Sequence, residues 1–336
     1  MKTKYNYVIF GSGQENYLYS FHDVIKLSNA VYVYDIKAIL GWQTPLFFAH
    51  ICKKSNRFFK LPFKCIWNRK LFNKNPFCDE KPLCFIFFGI WENLVSTASF
   101  GNYLKKRFEG SKTVLFLQDI LAKSHGLYSN NHYDPFELKR LYDVVISYDK
   151  GDCDNYGFIY HPTVFSVPNL PAENTFPETD VYFLGLVKNR YDLLINIYDN
   201  LSNKGIKCDF YIAGVAEELK IYREGIHYIS FMSYTENLMR ICKSKCILEL
   251  MQDGATGYTF RLWEAIVMNK KLLSNNNSLM CSHFYNESFI RIINKDIDNI
   301  NNILNWIMKP LENNQSLVEK ISPENLLYFL DNILCE

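Results

Sequence analysis

The sequence contains no apolar run of about 18 residues and no Cys-x-x-Cys pair, and it carries almost no net charge. Without a long apolar run, we predict no membrane-spanning helix. The ten cysteines occur singly, several of them within apolar runs, which is typical of small buried side chains rather than of a zinc site. A formal net charge of +2 on 336 residues gives no reason to expect a nucleic-acid partner.

The amino terminus also lacks the pattern of a signal peptide, because MKTKYNYVIFGSG leads directly into a β-strand pattern. Cysteines without a paired spacing suit a reducing compartment. We therefore expect the protein to be cytoplasmic.

Alternating strand and helix patterns over 336 residues predict two α/β domains, each long enough to bury its own core. We place the first domain at residues 1–166. Residues 167–179 contain three prolines and show no periodicity, so we predict a linker there. The second domain begins afresh with a strand and covers residues 180–320. A last helix, within residues 321–336, starts at Ser322 and Pro323.

Two further predictions each concern a single helix or strand. In the first domain, residues 16–28 have a helical pattern. In the second domain, the apolar residues between 229 and 233 favour a strand.

One stretch of the second domain, residues 244–275, combines a buried strand, a loop with Gly254 and Gly257, an amphipathic helix and a further strand. Such a loop lies where a strand ends and a helix begins, so its N–H groups and the positive helix end favour an anion such as a diphosphate. Arg261 adds a cation suited to bidentate phosphate contacts. Glu264, one turn later, is placed to accept hydrogen bonds from a ribose. An ordinary surface ion pair between the two residues is the alternative.

The pattern Gly-x-Thr-x-Arg-x-x-Glu-Ala at residues 257–265, followed by Lys-Lys-Leu-Leu and Asn-Asn, resembles bacterial glycosyltransferases of the GT-B fold, especially those of lipopolysaccharide and capsule biosynthesis. The resemblance implies two Rossmann-like domains whose parallel sheets face a central cleft. The first would bind the acceptor and the second the nucleotide-sugar donor, with residues 321–336 returning to the first. The donor-binding residues that it implies are Lys188, Arg190, Ser233, Tyr234, Gly254, Gly257, Thr259, Arg261 and Glu264.

The activity that the resemblance implies is transfer of a sugar from a nucleotide sugar to a lipid-linked glycan acceptor in surface polysaccharide synthesis. Helix ends and basic side chains can offset the charge of the leaving diphosphate. We therefore predict that the protein binds no cofactor and that the transfer needs no metal.

Transfer with inversion requires a general base near the acceptor hydroxyl, at the carboxyl ends of first-domain strands. Many retaining relatives carry two glutamates eight residues apart, but Thr256 stands at the first of these positions here. The sequence therefore leaves the stereochemistry open. Our first candidate for the base is Asp119, and the others are Glu15, Glu92 and His22, each of which could instead be a helix cap or a surface residue.

Residues 36–78 have no aspartate or glutamate but contain nine lysines or arginines, interleaved with nine phenylalanines and tryptophans that include Trp42, Phe63 and Trp67. Basic residues are attracted to anionic lipid head groups, and aromatic residues suit the interface between water and hydrocarbon. One interpretation is a surface that docks peripherally on the inner face of the membrane. The other is a solvated basic region whose aromatic residues belong to the core.

Two further functions remain open at this point. Gly11 and Gly13 after the first strand, with Asp35 at the end of the second, resemble part of a dinucleotide fingerprint and permit an NAD-linked oxidoreductase. A tight turn that lets a helix pack on the sheet is the simpler interpretation of the glycines. A non-catalytic scaffold at the membrane is the third function.

Overall fold

The computed structural model describes residues 3–52, 54–57, 61–118, 135–251, 257–293 and 300–334. They divide into two units, Met1–Ser166 together with Ile321–Glu336, and Val167–Lys320. Each unit contains one six-stranded sheet in which neighbouring strands are parallel.

The sheet of the first unit has the strand order β2-β1-β3-β4-β5-β6. Its strands are β1 (Asn6–Phe10), β2 (Ala30–Val33), β3 (Leu83–Phe88), β4 (Lys112–Leu117), β5 (Val144–Ser147) and β6 (Ile159–Tyr160). The helices are α1 (Glu15–Phe21), α2 (Ile36–Leu40), α3 (Thr44–Ile51), α4 (Asn68–Leu71), α5 (Thr97–Arg107), α6 (Pro135–Leu141) and α7 (Lys150–Tyr156). Short 3₁₀ helices cover His22–Lys26, Gly41–Gln43, Ser55–Arg57, Lys64–Trp67 and Gly89–Asn93.

The central strands β1 and β3 are apolar at every position except Asn6, because both of their faces are covered. Every residue of β1 and β3 is buried. Successive side chains point to opposite faces, so each strand contributes to two cores. The first core includes Val8, Phe10, Phe85 and Phe87, and the second includes Tyr7, Ile9, Ile86 and Phe88.

The sheet of the second unit has the order β12-β11-β10-β7-β8-β9. Its strands are β7 (Thr179–Leu186), β8 (Cys208–Ala213), β9 (Ile226–Tyr228), β10 (Ser244–Glu249), β11 (Lys271–Ser274) and β12 (Ile290–Ile292). The helices are α8 (Tyr191–Ser202), α9 (Tyr234–Lys243), α10 (Phe260–Val267), α11 (Ile300–Met308) and α12 (Gln315–Ile321), and 3₁₀ helices cover Lys188–Arg190, Glu217–Leu219 and Asn277–Cys281. The direction of strand addition reverses between β7 and β10, which lie side by side.

The last helix, α13 (Pro323–Ile333), packs on the first unit. Leu326, Leu327 and Leu330 are buried in the core that contains Tyr7. The carboxylate of Asp331 accepts the N–H of Lys4 at 2.8 Å and that of Tyr5 at 3.2 Å, and it lies 2.9 Å from the hydroxyl of Tyr7. These contacts join the end of the chain to its first strand.

Replacing Asp331 with alanine is expected to lower the free energy of unfolding by about 2–3 kcal/mol, because buried N–H donors lose a charged acceptor. Urea unfolding followed by circular dichroism measures this change. Asn332→Ala on the same helix is the matched control, since Asn332 is exposed, and its effect should stay within about 0.5 kcal/mol. Equal effects of the two substitutions would show that the carboxylate does not hold the helix.

Two of the local predictions differ from the structure. The helix predicted over residues 16–28 is α1 followed by the 3₁₀ helix His22–Lys26. Ser166 causes the change, because its N–H donates to the Tyr19 carbonyl at 2.7 Å and its hydroxyl accepts the Asp23 N–H at 2.9 Å. Those two groups would bond to each other in a continuous α-helix.

The strand predicted between residues 229 and 233 is wrong. Gly225, with a φ of 78°, turns the chain, and β9 pairs with β8 through Ile226, His227 and Tyr228. The following residues form a loop, in which Phe231 is 79% exposed.

Within the ranges that the structure describes, no helix is long and apolar enough to cross a membrane.

Candidate functional site

The carboxyl ends of β7 and β10 form the switch point of the second sheet. In open α/β sheets, ligands bind outside the carboxyl ends of the strands at such a point. The 3₁₀ helix Lys188–Arg190 follows β7, and the chain after β10 leads into α10. Residues 252–256 of that connection, with the predicted Gly254, lie outside the described residues. Gly257 and Thr259 are among the last three residues before the helix.

Arg261 lies in the first turn of α10 and is held by three groups from the protein. Its Nη2 donates to the carbonyl of Leu184 on β7 at 2.9 Å, and its Nη1 donates to Asn237 Oδ1 at 3.3 Å and to the carboxylate of Glu264. Burial acts most strongly and lowers the pKa of Arg261, but the charge and hydrogen bond of Glu264, together with Tyr182 and Tyr234, outweigh it, so the pKa is raised. The guanidinium is therefore a fixed, permanent cation.

The contacts of Arg261 with the described residues do not use all of its N–H groups. The side chain of Arg261 is 19% exposed. Its Nε–H and one Nη2–H donate to none of the residues that the structure describes. A bound anion could therefore accept hydrogen bonds from Arg261 without displacing the contacts that orient it.

Glu264 is buried and pairs with Arg261. The sequence predicts that it accepts hydrogen bonds from a ribose, but the structure buries it completely. Its Oε1 accepts from Asn237 Nδ2 at 3.1 Å, and its Oε2 pairs with Arg261. This geometry gives Glu264 the role of positioning the guanidinium.

Asn237, on α9, connects this pair to the sheet and has no counterpart among the predicted site residues. Its Oδ1 accepts from the hydroxyl of Tyr182 at 3.1 Å as well as from Arg261. The sequence does contain a signal, because Asn237 lies in the apolar stripe of α9 with Leu238 and Ile241. A polar residue within such a stripe is buried and needs partners.

Glu249, the last residue of β10, is the centre of a second buried network. It is 3% exposed, and its two oxygens accept from the hydroxyls of Thr259 and Ser274. Burial raises the pKa of Glu249, although these hydroxyls and Arg261 oppose the shift. Thr259 also caps α10 by accepting the Arg261 N–H at 3.1 Å. Glu249 therefore fixes the start of the helix that carries Arg261.

The two asparagines after β11 hold both ends of the connection between β10 and α10. Asn275 Oδ1 accepts the N–H of Met251 at 2.6 Å, and Asn276 Nδ2 donates to the carbonyl of Gly257 at 3.1 Å. The Asn-Asn pair of the sequence motif therefore stabilises the backbone beside the site.

The two basic residues after β7 have different roles. Arg190 donates to the backbone carbonyls of Leu186 and Leu250, so it ties the end of β7 to the end of β10. Burial lowers the pKa of Arg190. Lys188 is exposed and has a φ of 45°, which is rare for a residue with a side chain and is often found at functional sites. Of these two basic residues, Lys188 is therefore the one whose side chain is free to reach a ligand.

Ser233 and Tyr234 are located where α9 begins, one turn before Asn237. The hydroxyl of Ser233 accepts the Glu236 N–H at 3.1 Å and caps the helix. Tyr234 is close enough to Arg261 to contribute to its raised pKa. Both predicted residues thus lie beside the Arg261 network.

The four candidate bases fall in the first unit, and the structure describes two of their side chains. Asp119 lies outside the described residues, and α1 begins at Glu15, whose side chain is likewise not described. Glu92 follows β3, and its Oε1 accepts the N–H of Gln118, just beyond β4, at 2.9 Å. His22 starts the 3₁₀ helix after α1, with its ring 6.2 Å from that of Tyr19. Of these, Glu92 bridges the carboxyl ends of two strands.

The residues of the partial dinucleotide fingerprint have structural partners. A Cβ on Gly11 would lie 2.3 Å from the ring of Tyr32, so a glycine is needed for that ring to pack. Asp35 Oδ1 accepts the Ala38 N–H at 2.8 Å and caps α2. These contacts account for Gly11 and Asp35 without a bound dinucleotide.

In the described part of the chain, no three or more histidines, cysteines, aspartates or glutamates lie together in a group that could hold a metal ion.

No protein-family model matches the sequence. No curated protein matches it significantly. Among solved structures, the chain is similar to an α-glucosyltransferase in complex with UDP and a 13-mer DNA containing a HMU base, with 11% identity, a TM-score of 0.55 and coverage of 98% of this chain and 99% of that one. A UDP-GlcNAc 2-epimerase from Methanocaldococcus jannaschii is similar with 11% identity, a TM-score of 0.51 and coverage of 98% of both chains.

TarM is similar with 12% identity and a TM-score of 0.46, and the match covers 75% of this chain but only 54% of TarM. The match thus spans about half of TarM. At such identities the comparisons concern the fold. They confirm the predicted fold class, an α/β protein with two Rossmann-like, parallel-sheet domains of the GT-B type.

Proposed function

We propose that the protein is a glycosyltransferase that moves a sugar from a nucleotide-sugar donor to a glycan acceptor. The observation that carries the proposal is the fixed guanidinium of Arg261 at the start of α10, beside the switch point of the second sheet. A rigid cation with open N–H donors at this position suits the diphosphate of a nucleotide sugar.

The proposed chemistry is stabilisation of the leaving nucleoside diphosphate. Negative charge grows on that group as its bond to the sugar breaks. Arg261, Lys188 and the amino end of α10 would offset this charge without reorganising. The proposed transfer therefore needs no metal ion. Ser233, Tyr234, Gly254, Gly257 and Thr259 complete the proposed donor site.

The acceptor hydroxyl must lose a proton as it attacks the anomeric carbon. We keep Asp119 as our first candidate for the base, since it comes directly after Gln118 at the end of β4. Glu92 is the alternative among the described side chains, because it contacts the Gln118 N–H at that position. Glu15 and His22 are further candidates.

We further propose that the acceptor is a lipid-linked glycan of bacterial surface polysaccharide synthesis, of the lipopolysaccharide or capsule type. The protein would then work in the cytoplasm, at the inner face of the membrane. The motif at residues 257–265 and the basic, aromatic residues of the segment 36–78 support this part of the proposal.

A panel of UDP, GDP, CMP, dTDP and NAD tests the proposed function by thermal unfolding. A ligand that binds only the folded protein adds about 2.7 kcal/mol of stability at about 100 times its Kd. We expect one nucleoside phosphate of the panel to raise the Tm, and its sugar conjugate to yield a transferred sugar when membrane extract supplies the acceptor. A response to NAD alone would establish the oxidoreductase instead. No response to any of the five, with no sugar transfer, would favour the non-catalytic scaffold.

A further inference from the structure

The segment 36–78 differs from the rest of the first unit in its exposed apolar side chains. Fifteen large apolar side chains are exposed in the described part of the chain, and six of them belong to this segment. They are Ile39, Trp42, Leu46, Leu61, Phe63 and Ile66.

The aromatic residues of the segment divide into two groups. Phe47 and Trp67 are buried in the core with Ile51 and Leu71, as expected if the segment were an ordinary part of the domain. Trp42 and Phe63, in contrast, are 79% and 74% exposed. The core therefore does not account for the most exposed aromatic residues.

Phe63 lies in the turn that leads into the 3₁₀ helix Lys64–Trp67, and its backbone has an unfavourable conformation. Its φ of 57° and ψ of 35° are left-handed, where a bulky side chain costs stability and glycine does not. An exposed phenylalanine in such a conformation contributes little to folding. Packing against the described residues therefore does not account for this side chain.

The turn that presents Phe63 is tied to α3 through His50. Trp67 Nε1 donates to His50 Nδ1 at 3.1 Å, so the proton of His50 is on Nε2, which donates to the carbonyl of Pro62. Lys64 Nζ donates to the His50 carbonyl at 3.1 Å. These bonds fix the residues on both sides of Phe63.

Other apolar and basic residues flank this turn. Leu46 precedes His50 by one turn of α3, so the two share a face of the helix. Lys70 Nζ donates to the side chain of Gln43, which brings a basic residue next to Trp42. Arg69 is exposed beside Lys70, and neither forms an ion pair with an acidic residue that the structure describes. This segment therefore combines exposed apolar side chains with basic side chains that form no ion pair with a described acidic residue.

We propose that Phe63, Trp42 and Leu46 insert into the surface of a bilayer that contains anionic lipids, while the basic residues contact the head groups. The charge of the segment favours this partner, since it has nine basic residues and no acidic one between residues 36 and 78. The inference deepens the membrane association proposed above, and it does not depend on sugar transfer.

Sedimentation with lipid vesicles, in the absence of nucleotide, tests the insertion. The full chain should bind phosphatidylcholine vesicles containing about 30% phosphatidylglycerol and should not bind pure phosphatidylcholine. Phe63→Gly should weaken binding about tenfold while its Tm stays equal to that of the wild type or rises by up to about 4 °C. Phe231→Gly is the matched control, because Phe231 is 79% exposed but lies in the second unit.

Trp42→Ser provides a second test at an equally exposed position and should also weaken binding about tenfold. Binding that is unchanged in both variants, or equal on neutral and anionic vesicles, would overturn the proposal. Self-association that is lost in Phe63→Gly would overturn it too, because the surface would then cover a second copy. Vesicle binding is measured without nucleotide, so its result does not depend on whether the protein binds a nucleotide. The experiment can therefore overturn the membrane proposal without overturning the proposed sugar transfer, and the reverse also holds.

Discussion

Replacing Glu264 with leucine is expected to lower the free energy of unfolding by about 3 kcal/mol. Glu264 is completely buried and is the carboxylate that balances Arg261. Removing one member of a buried ion pair leaves the other as an uncompensated charge, which costs about 3–5 kcal/mol. The partial exposure of Arg261 places the expected value at the lower end. Urea unfolding of the two proteins measures the difference.

Glu236→Leu provides the matched control for this prediction. Glu236 also pairs with an arginine, Arg240, at 3.0 Å, but its side chain is 38% exposed. Ion pairs at such positions contribute about 0–1 kcal/mol. If Glu264→Leu and Glu236→Leu had similar effects, the pair beneath the site would not be a buried one and the rigidity of Arg261 would need another source.

The central strands could be predicted from the sequence, whereas an edge strand could not. Largely apolar stretches of the sequence at residues 83–88, 112–117 and 208–213 form β3, β4 and β8. These strands lie inside their sheets, so burial on both faces requires nearly continuous apolar residues. β9 lies at an edge and has three residues, of which His227 is 46% exposed on its side chain. No apolar run marks it, and the apolar residues that follow it belong to a loop.

The same contrast applies to the candidate site. The place of Arg261 in the first turn of a helix follows from the local motif. Of its three partners, Glu264 is on the same helix, but Leu184 and Asn237 come from β7 and α9, and only the packing of the sheet brings them to Arg261. The break after α1 has a similar origin, since Ser166 reaches Asp23 from more than a hundred residues away. A local pattern can show that a residue such as Asn237 is buried and needs partners, but it does not identify those partners.

Removing both charges of the buried pair should separate its structural role from its role in binding. We expect Arg261→Met with Glu264→Leu to recover most of the stability lost in Glu264→Leu, because apolar residues of similar volume can replace a buried ion pair at little cost. The same double variant should bind the nucleotide selected by the panel about 100-fold more weakly, a loss of about 2.7 kcal/mol from missing charged hydrogen bonds. Calorimetric titration measures this affinity.

Arg261→Lys and Arg223→Met complete the comparison. Lysine keeps the charge but has no planar fork, so it cannot reproduce the contacts of Arg261 with Leu184, Asn237 and Glu264 and still meet a phosphate. We expect its affinity to lie between the wild type and the double variant. Arg223 is an exposed arginine of the same unit, so Arg223→Met should bind normally. A stable double variant with unchanged affinity would place the diphosphate elsewhere in the protein, since no general loss of structure could then hide a contribution from Arg261.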